Sequence, residues 1–188
     1  AEYCGNRRYH AAHISTKGAV RLVREAKARG LRVSCEVTPH HFVLTDEAVR
    51  GFDTNAKMNP PLRTDEDIEA IIEGLADGTI DCIATDHAPH AVHEKECEFA
   101  QAANGITGLE TALGLGMTFL VHTGKLSFAE LIEKMSLNPR KVLQLPEIKI
   151  ATGEKANLTV FAPNEEWAVD LSHSCSKSQN SPFEGLHL

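Results

Sequence analysis

The stretch ATDHAPHAVHEK, residues 84–95, gathers Asp86, His87, His90 and His93 and closes on Glu94-Lys95. Two other polar residues stand in comparable places, His13 in YHAAHIS and Glu36 in VSCEV. Imidazole is the commonest protein metal ligand and titrates near neutrality. A carboxylate beside it can carry a proton or complete a metal site. The chemistry this set suits is metal binding or general acid–base transfer. Each residue also has a plainer reading. His13 alone is more often a satisfied core histidine than a ligand. Asp86 alone suits an N-cap or a turn. His40 and His41 follow Pro39 and read as structural or solvent-facing. His93, Glu94 and Lys95 read as an exposed polar stretch. His10, His122, His173 and His187 have no supporting pattern, and Cys35 and Cys82 read as small core residues.

The elements around these residues favour the sharper reading. Residues 9–14 are short and partly apolar and lead to His13. Ser15 and Thr16 are candidate caps of a helix with Val20, Val23, Ala26 and Ala28 along it and Gly30 as its stop. LRVSCEV, residues 31–37, reads as a strand with Glu36 at its end, and a short helix is expected over 45–51. TDEDIEAIIEGLADG, residues 64–78, has an acidic first turn and an apolar face of Ile68, Ile71, Ile72 and Leu75. TIDCIAT, residues 79–85, is expected to be a strand delivering Asp86. Later segments, TGLETALGLGMTFLVHTG, SFAELIEKMSL and NPRKVLQL, read as helices. This strand–helix alternation is the rhythm of a parallel sheet covered by helices. In α/β barrels the reactive side chains lie at the C-terminal ends of the strands, where His13, Glu36 and Asp86 are expected. After Pro146 the texture changes. KIATGEKANLTVFAP reads as a turn into a strand, and the tail LSHSCSKSQNSPFEGLHL as polar loop without a packed stop. A boundary is placed there, giving units 1–146 and 147–188.

Bulk composition narrows the class. The 188 residues are 42% apolar and 24% charged, with a formal net charge of −7. That balance suits a globular chain and disfavours non-specific nucleic-acid binding, which needs clustered Lys and Arg. Five cysteines with no CxxC pair argue against a disulfide framework and for a reducing, cytoplasmic setting. No apolar stretch is long enough to span a bilayer, and residues 1–12 lack the apolar region of a signal peptide.

Several blocks in order resemble the bacterial class I dihydroorotases, a branch of the amidohydrolase superfamily: HISTKGAVRLVREAKARG, VSCEVTPHHFVLT, KMNPPLR, ATDHAPHAVHEK, GITGLETAL and NPRKVLQLP. The resemblance runs from about His10 to Leu188. It implies a distorted (β/α)8 barrel with a small β-rich domain, and reversible cyclisation of N-carbamoyl-L-aspartate to dihydroorotate in pyrimidine synthesis. It implies two zinc ions, with His13 as the strand 6 ligand and Asp86 as the strand 8 aspartate, a metal-site residue and proton carrier. Glu36 then closes strand 7, where a carboxylate holds an additional zinc in some relatives. Asn59 and His90 match partners of the substrate carboxylate. The loop at Asn104-Gly105, where the family more usually has Phe-Gly or Pro-Gly, touches the ring. A small-molecule substrate and either a homo-oligomer or association with aspartate transcarbamoylase follow from the same resemblance.

The family's HxH pair, bridging ligand and strand 5 histidine have no counterpart in these residues. A whole barrel needs roughly 250 residues. The chain is therefore expected to be the C-terminal part of a longer enzyme, strands 6–8 of the barrel plus part of the β-rich domain, inactive alone. Two other readings stand beside it. One is a hydantoinase, dihydropyrimidinase or allantoinase, against which Ala-Pro-His after Asp86 argues. The other is a non-catalytic dihydroorotase-like subunit, against which the joint presence of His13, Asn59, Asp86 and His90 argues.

Overall fold

The computed structural model describes all of residues 1–188. Its centre is a parallel three-stranded sheet in the order β1 (Tyr9–Ala11), β2 (Val33–Val37) and β3 (Cys82–Ile83). Tyr9 pairs with Val33 and Ala11 with Cys35; Glu36 pairs with Cys82 and Val37 with Ile83. The bonding outruns the strands. Ile14 N–H donates to the Glu36 carbonyl at 3.0 Å, and Ala84 N–H to the Val37 carbonyl at 3.0 Å. The third strand is shorter than the apolar run 79–85 suggests, because only its middle lies against β2.

Helix α1 (Lys17–Ala28) links β1 to β2, and Thr16 caps it by accepting from Ala19 N–H at 3.1 Å. Gly30 follows at φ +72°, where a side chain would be strained. Between β2 and β3 lie α2 (His40–Val43) and α3 (Asp65–Ala76). The helix expected over 45–51 is a single 3₁₀ turn, Asp46–Val49, with no apolar stripe long enough to extend it. After β3 come α4 (Val92–Lys95), α5 (Ala112–Gly116), α6 (Phe128–Ile132) and α7 (Asn138–Leu143). Helices α5 and α6 each widen into a π-helical turn, Met117–Val121 and Glu133–Leu137. Ser127 and Glu130 cap α6 reciprocally: Glu130 N–H donates to Ser127 Oγ at 3.2 Å, and Ser127 N–H to Glu130 Oε2 at 2.7 Å.

Strand alternation divides the sheet. Cys35 and Val37 point to the helix-covered face and join Val20, Ile71, Leu75, Ile80, Leu120 and Leu131 in the main core. Ser34 and Glu36 point the other way. A second core joins Met58, Leu62, Ile106 and Leu115 to Val169, Phe183 and Leu188. The C-terminal residues are thus packed, contrary to the loop-like tail the sequence suggests. Two features explain this: Phe183 is 2% exposed in that core, and the polar atoms of Asn180 find buried partners. The expected strand at Asn157–Phe161 forms no ladder, and Leu158 and Val160 face outward because no strand lies beside them. No helix is long and apolar enough to cross a membrane.

Ile71 is fully buried in the main core. Ile71→Ala should therefore cost about 2–5 kcal/mol. Urea unfolding should show a lower midpoint at unchanged slope. A loss below about 1 kcal/mol would mean that α3 does not pack as described.

Candidate active site

Glu36 lies at the centre of a chain of polar contacts across the C-terminal ends of the strands. Its Oε2 lies 3.1 Å from His10 Nε2, and its Oε1 lies 3.1 Å from His13 Nδ1. His13 Nε2 lies 3.5 Å from Asp86 Oδ1. Parallel register brings this about. The Ile14–Glu36 bond holds the end of β1 beside β2, and the Ala84–Val37 bond holds the end of β3 on the other side. His13 and Asp86 each leave their strand in the left-handed region, at φ +49° and +48°. His and Asp visit that region more readily than most residues, and such conformations concentrate at functional sites. The backbone turns the two side chains toward each other, and His13 reaches Glu36 as well.

Burial favours the neutral imidazole at the two histidines that follow Pro39. His40 is 2% exposed, and burial, with smaller contributions from His41 and His13, pushes its pKa down to about 2. Burial also lowers His41, which is held by Thr38 Oγ1 at 2.6 Å and the Pro60 carbonyl at 2.9 Å. His41 is thus a structural histidine. Two buried nitrogens, His13 Nδ1 and His40 Nε2, make no hydrogen bond. For His13 Nδ1 the Glu36 carboxylate is near enough but out of line, so the contact counts as charge proximity and not as a hydrogen bond. Burial first, then nearby carboxylates, pushes Cys35 and Cys82 up to about 12. Both are neutral packing groups.

Imidazole nitrogens and carboxylate oxygens are the donors zinc prefers outside thiolate sites, and the two unpartnered nitrogens suit a ligand role. The set is incomplete within this chain, since no three or more His, Cys, Asp or Glu side chains converge on one point. His13 and Asp86, 3.5 Å apart, fit as part of a metal site and do not make a whole one.

The remaining expected residues form a second group. His90 Nε2 lies 2.9 Å from the Asn104 carbonyl, and His90 Nδ1 lies 3.7 Å from Glu94 Oε2. Gly105 is at φ +115°, and a Cβ there would stand 2.6 Å from Ala88 Cβ. The Gly105 backbone therefore packs directly against the Ala88 side chain in the His90 loop. Asn59 is exposed and precedes a cis peptide at Pro60; no hydrogen bond engages its side chain. His87 Nδ1 accepts from Gly108 N–H at 3.0 Å and shapes the loop. A cavity of about 660 Å³ lies elsewhere, between Met117, Trp167 and Leu188, and a second, of about 500 Å³, is lined by His10 and Ser34 beside the cluster.

Sequence reasoning missed two participants and misplaced a third. His10 stands opposite Ser34, two positions before Glu36 on the same face, and pairing that register with strand alternation would have found it. Asn180 lies in the tail. Lys95 is 4% exposed, not part of an exposed stretch, and donates to the carbonyls of Ala103 at 2.8 Å and Gly105 at 3.1 Å.

A profile of the amidohydrolase family matches residues 4–186. The chain belongs to the amidohydrolase family. It is 56% identical over 188 residues to a protein of Trichlorobacter lovleyi named dihydroorotase, covering 100% of this chain and 44% of that one. It is 55% identical over 179 residues to the dihydroorotase of Acetivibrio thermocellus, covering 95% of this chain and 42% of that one. Among solved structures, an L-hydantoinase (dihydropyrimidinase) from Arthrobacter aurescens superposes with TM-score 0.87 at 29% identity, over 100% of this chain and 43% of that one. The chain spans less than half the length of these relatives. Membership and superposition carry a TIM-barrel-type α/β fold, to which this amidohydrolase chain contributes three parallel strands.

Gly105→Ala should cost about 1–3 kcal/mol in chemical denaturation, because the backbone must leave its conformation and Ala88 cannot yield. A neutral effect would show that the two loops do not meet as described.

Proposed function

We propose that these residues are the strand 6–8 sector of a dihydroorotase, which interconverts N-carbamoyl-L-aspartate and dihydroorotate. The observation that carries the reading is the His13–Glu36–Asp86 cluster at the strand ends, in a chain 55–56% identical to proteins named dihydroorotase. His13 and Asp86 would hold zinc together with ligands from the rest of the polypeptide, and Glu36 stands where a further ion would bind. Zinc, when bound, supplies positive charge that polarises the amide carbonyl.

This chain's residues do the rest. In the hydrolytic direction water adds to the ring carbonyl, the C–N bond breaks, and the nitrogen must gain the proton that water loses. Asp86 carries that proton: its carboxylate takes it from water and delivers it to the departing nitrogen. Ring closure runs the same transfer backwards and releases water. His13 is fixed beside Asp86, its Nε2 3.5 Å from Oδ1. Asn59, with a free amide, and His90, once its Nε2–H leaves the Asn104 carbonyl it holds at 2.9 Å, receive the substrate carboxylate. The backbone at Asn104-Gly105 lines the ring.

The hydantoinase superposition favours a second reading, cyclic-amide hydrolysis of an uncharged ring. The common barrel accounts for that likeness, and the Asp86–His90 spacing supports a substrate bearing a carboxylate. Retention of His13, Glu36 and Asp86 together supports catalysis over a purely structural subunit.

The 188 residues alone should not turn over dihydroorotate, since three strands and an incomplete ligand set cannot hold the metals. Zinc-dependent turnover by the purified 188-residue chain would refute this. In the polypeptide that supplies the other strands, Asp86→Asn should lower kcat by about 10²–10⁴-fold. His90→Ala should leave zinc content near wild type and raise KM. Full activity in the first variant, or loss of zinc in the second, would reverse the assignment of roles.

A further inference from the structure

Asn180 is far in sequence from every residue assigned to the site, yet its side chain joins the two loops that would receive substrate. It is 4% exposed. Its Oδ1 accepts from His90 N–H at 3.1 Å, and its Nδ2 donates to the carbonyls of Ala88 at 2.9 Å and Gly105 at 3.1 Å. Its own carbonyl accepts from Thr107 N–H at 2.9 Å. One amide thus reads both faces of the His90 loop and ties them to the loop after Asn104. No hydroxyl or carboxylate can replace it, because the position needs an acceptor on one atom and two donor hydrogens on the other.

The surroundings hold this amide still. Lys95 Nζ supplies the second donor to the Gly105 carbonyl, at 3.1 Å, so both lone pairs of that oxygen are taken. Lys57 Nζ grips the carbonyls of Phe99 and Ala102, each at 2.6 Å, and the Lys57 carbonyl accepts from Gly105 N–H at 3.0 Å. The tail cannot drift. Phe183 anchors it in the second core, and Glu110 accepts from Ser174 Oγ, from Cys175 N–H at 2.9 Å and from Ser176 N–H at 3.2 Å.

We propose that Asn180 is a positioning residue for substrate recognition: it fixes the separation between the His90 loop and the Asn104-Gly105 loop, and so aims the His90 imidazole at the substrate carboxylate. This rests on the reading of His90 given above. Asn180 touches no substrate; it acts through His90 N–H and the Gly105 carbonyl. A group that only supports the fold would lower stability without caring whether His90 is present. A positioning group must lose its effect once the residue it aims is gone.

A double-mutant cycle in the complete polypeptide, with dihydroorotate as the probe, separates these cases. Asn180→Ala should raise KM about 10-fold, the scale of a few lost hydrogen bonds, with kcat and zinc content changed little. His90→Ala should raise KM as well. The double variant should be no worse than His90→Ala alone. Effects that multiply instead would overturn the proposal while leaving the role of His90 intact. An unchanged KM in His90→Ala would overturn the carboxylate reading itself, and this proposal with it. Should Asn180→Ala not fold, amide hydrogen exchange in the wild-type protein decides. The His90 and Thr107 amides should exchange slowly and together. Rapid exchange at His90 would show that the bridge is not made.

Discussion

The pairing of three parallel strands is the constraint on which the rest depends. Parallel strands all point the same way, so whatever follows each of them emerges at one edge of the sheet. β2 is central, and its Glu36 meets His10 and His13 from the β1 side, while His13 also reaches Asp86 from the end of β3. The cost is that each crossover must return over one face, which obliges that face to be apolar. Cys35 and Val37 supply that face under α1 and α3, while Ser34 and Glu36 alternate onto the other. Core and polar cluster are two sides of the same five-residue strand.

Charge balance follows from this geometry. His40 is too buried to charge and contributes no fixed positive charge. At the opposite end of the sheet, Lys134 is also buried and donates to the Ile80 carbonyl at 2.8 Å, with Asp81 opposing the downward push of burial on its amine. Lys27 and Cys35 N–H both meet Asp81, at 2.8 Å and 2.9 Å. Carboxylate is thus paired with lysine at the N-terminal edge, whereas Glu36 and Asp86 at the C-terminal edge meet imidazoles.

Much of this was legible in the sequence. Period and caps placed α1, α3 and α6, and the residues ending the strands named His13, Glu36 and Asp86. These are local signals. What stayed hidden depends on contacts between distant segments. His10 gains meaning only once the register opposite Ser34 is known. Lys95 looks like a surface lysine because nothing nearby announces the carbonyls of Ala103 and Gly105. Asn180 sits in a polar tail whose composition matches a loop, since a polar group satisfied by partners 75 to 92 residues away looks the same in sequence as one satisfied by water. NLTVF erred in the other direction: β propensity expresses fit to a neighbouring strand, and none lies beside it.

The positive φ angles at His13 and Asp86 bear on how this surface can change over evolutionary time. Left-handed backbone excludes β-branched residues on steric grounds and tolerates chiefly Gly, Asn, Asp and His. Of these, only His and Asp offer an ionisable donor. Drift at either position is therefore filtered twice, first by conformation and then by chemistry, and the two filters leave nearly the same short alphabet. A descendant that lost any use for the ionisable groups would still be pressed to keep Asn, Gly or the original residue there, so a relic of the cluster would outlast its use.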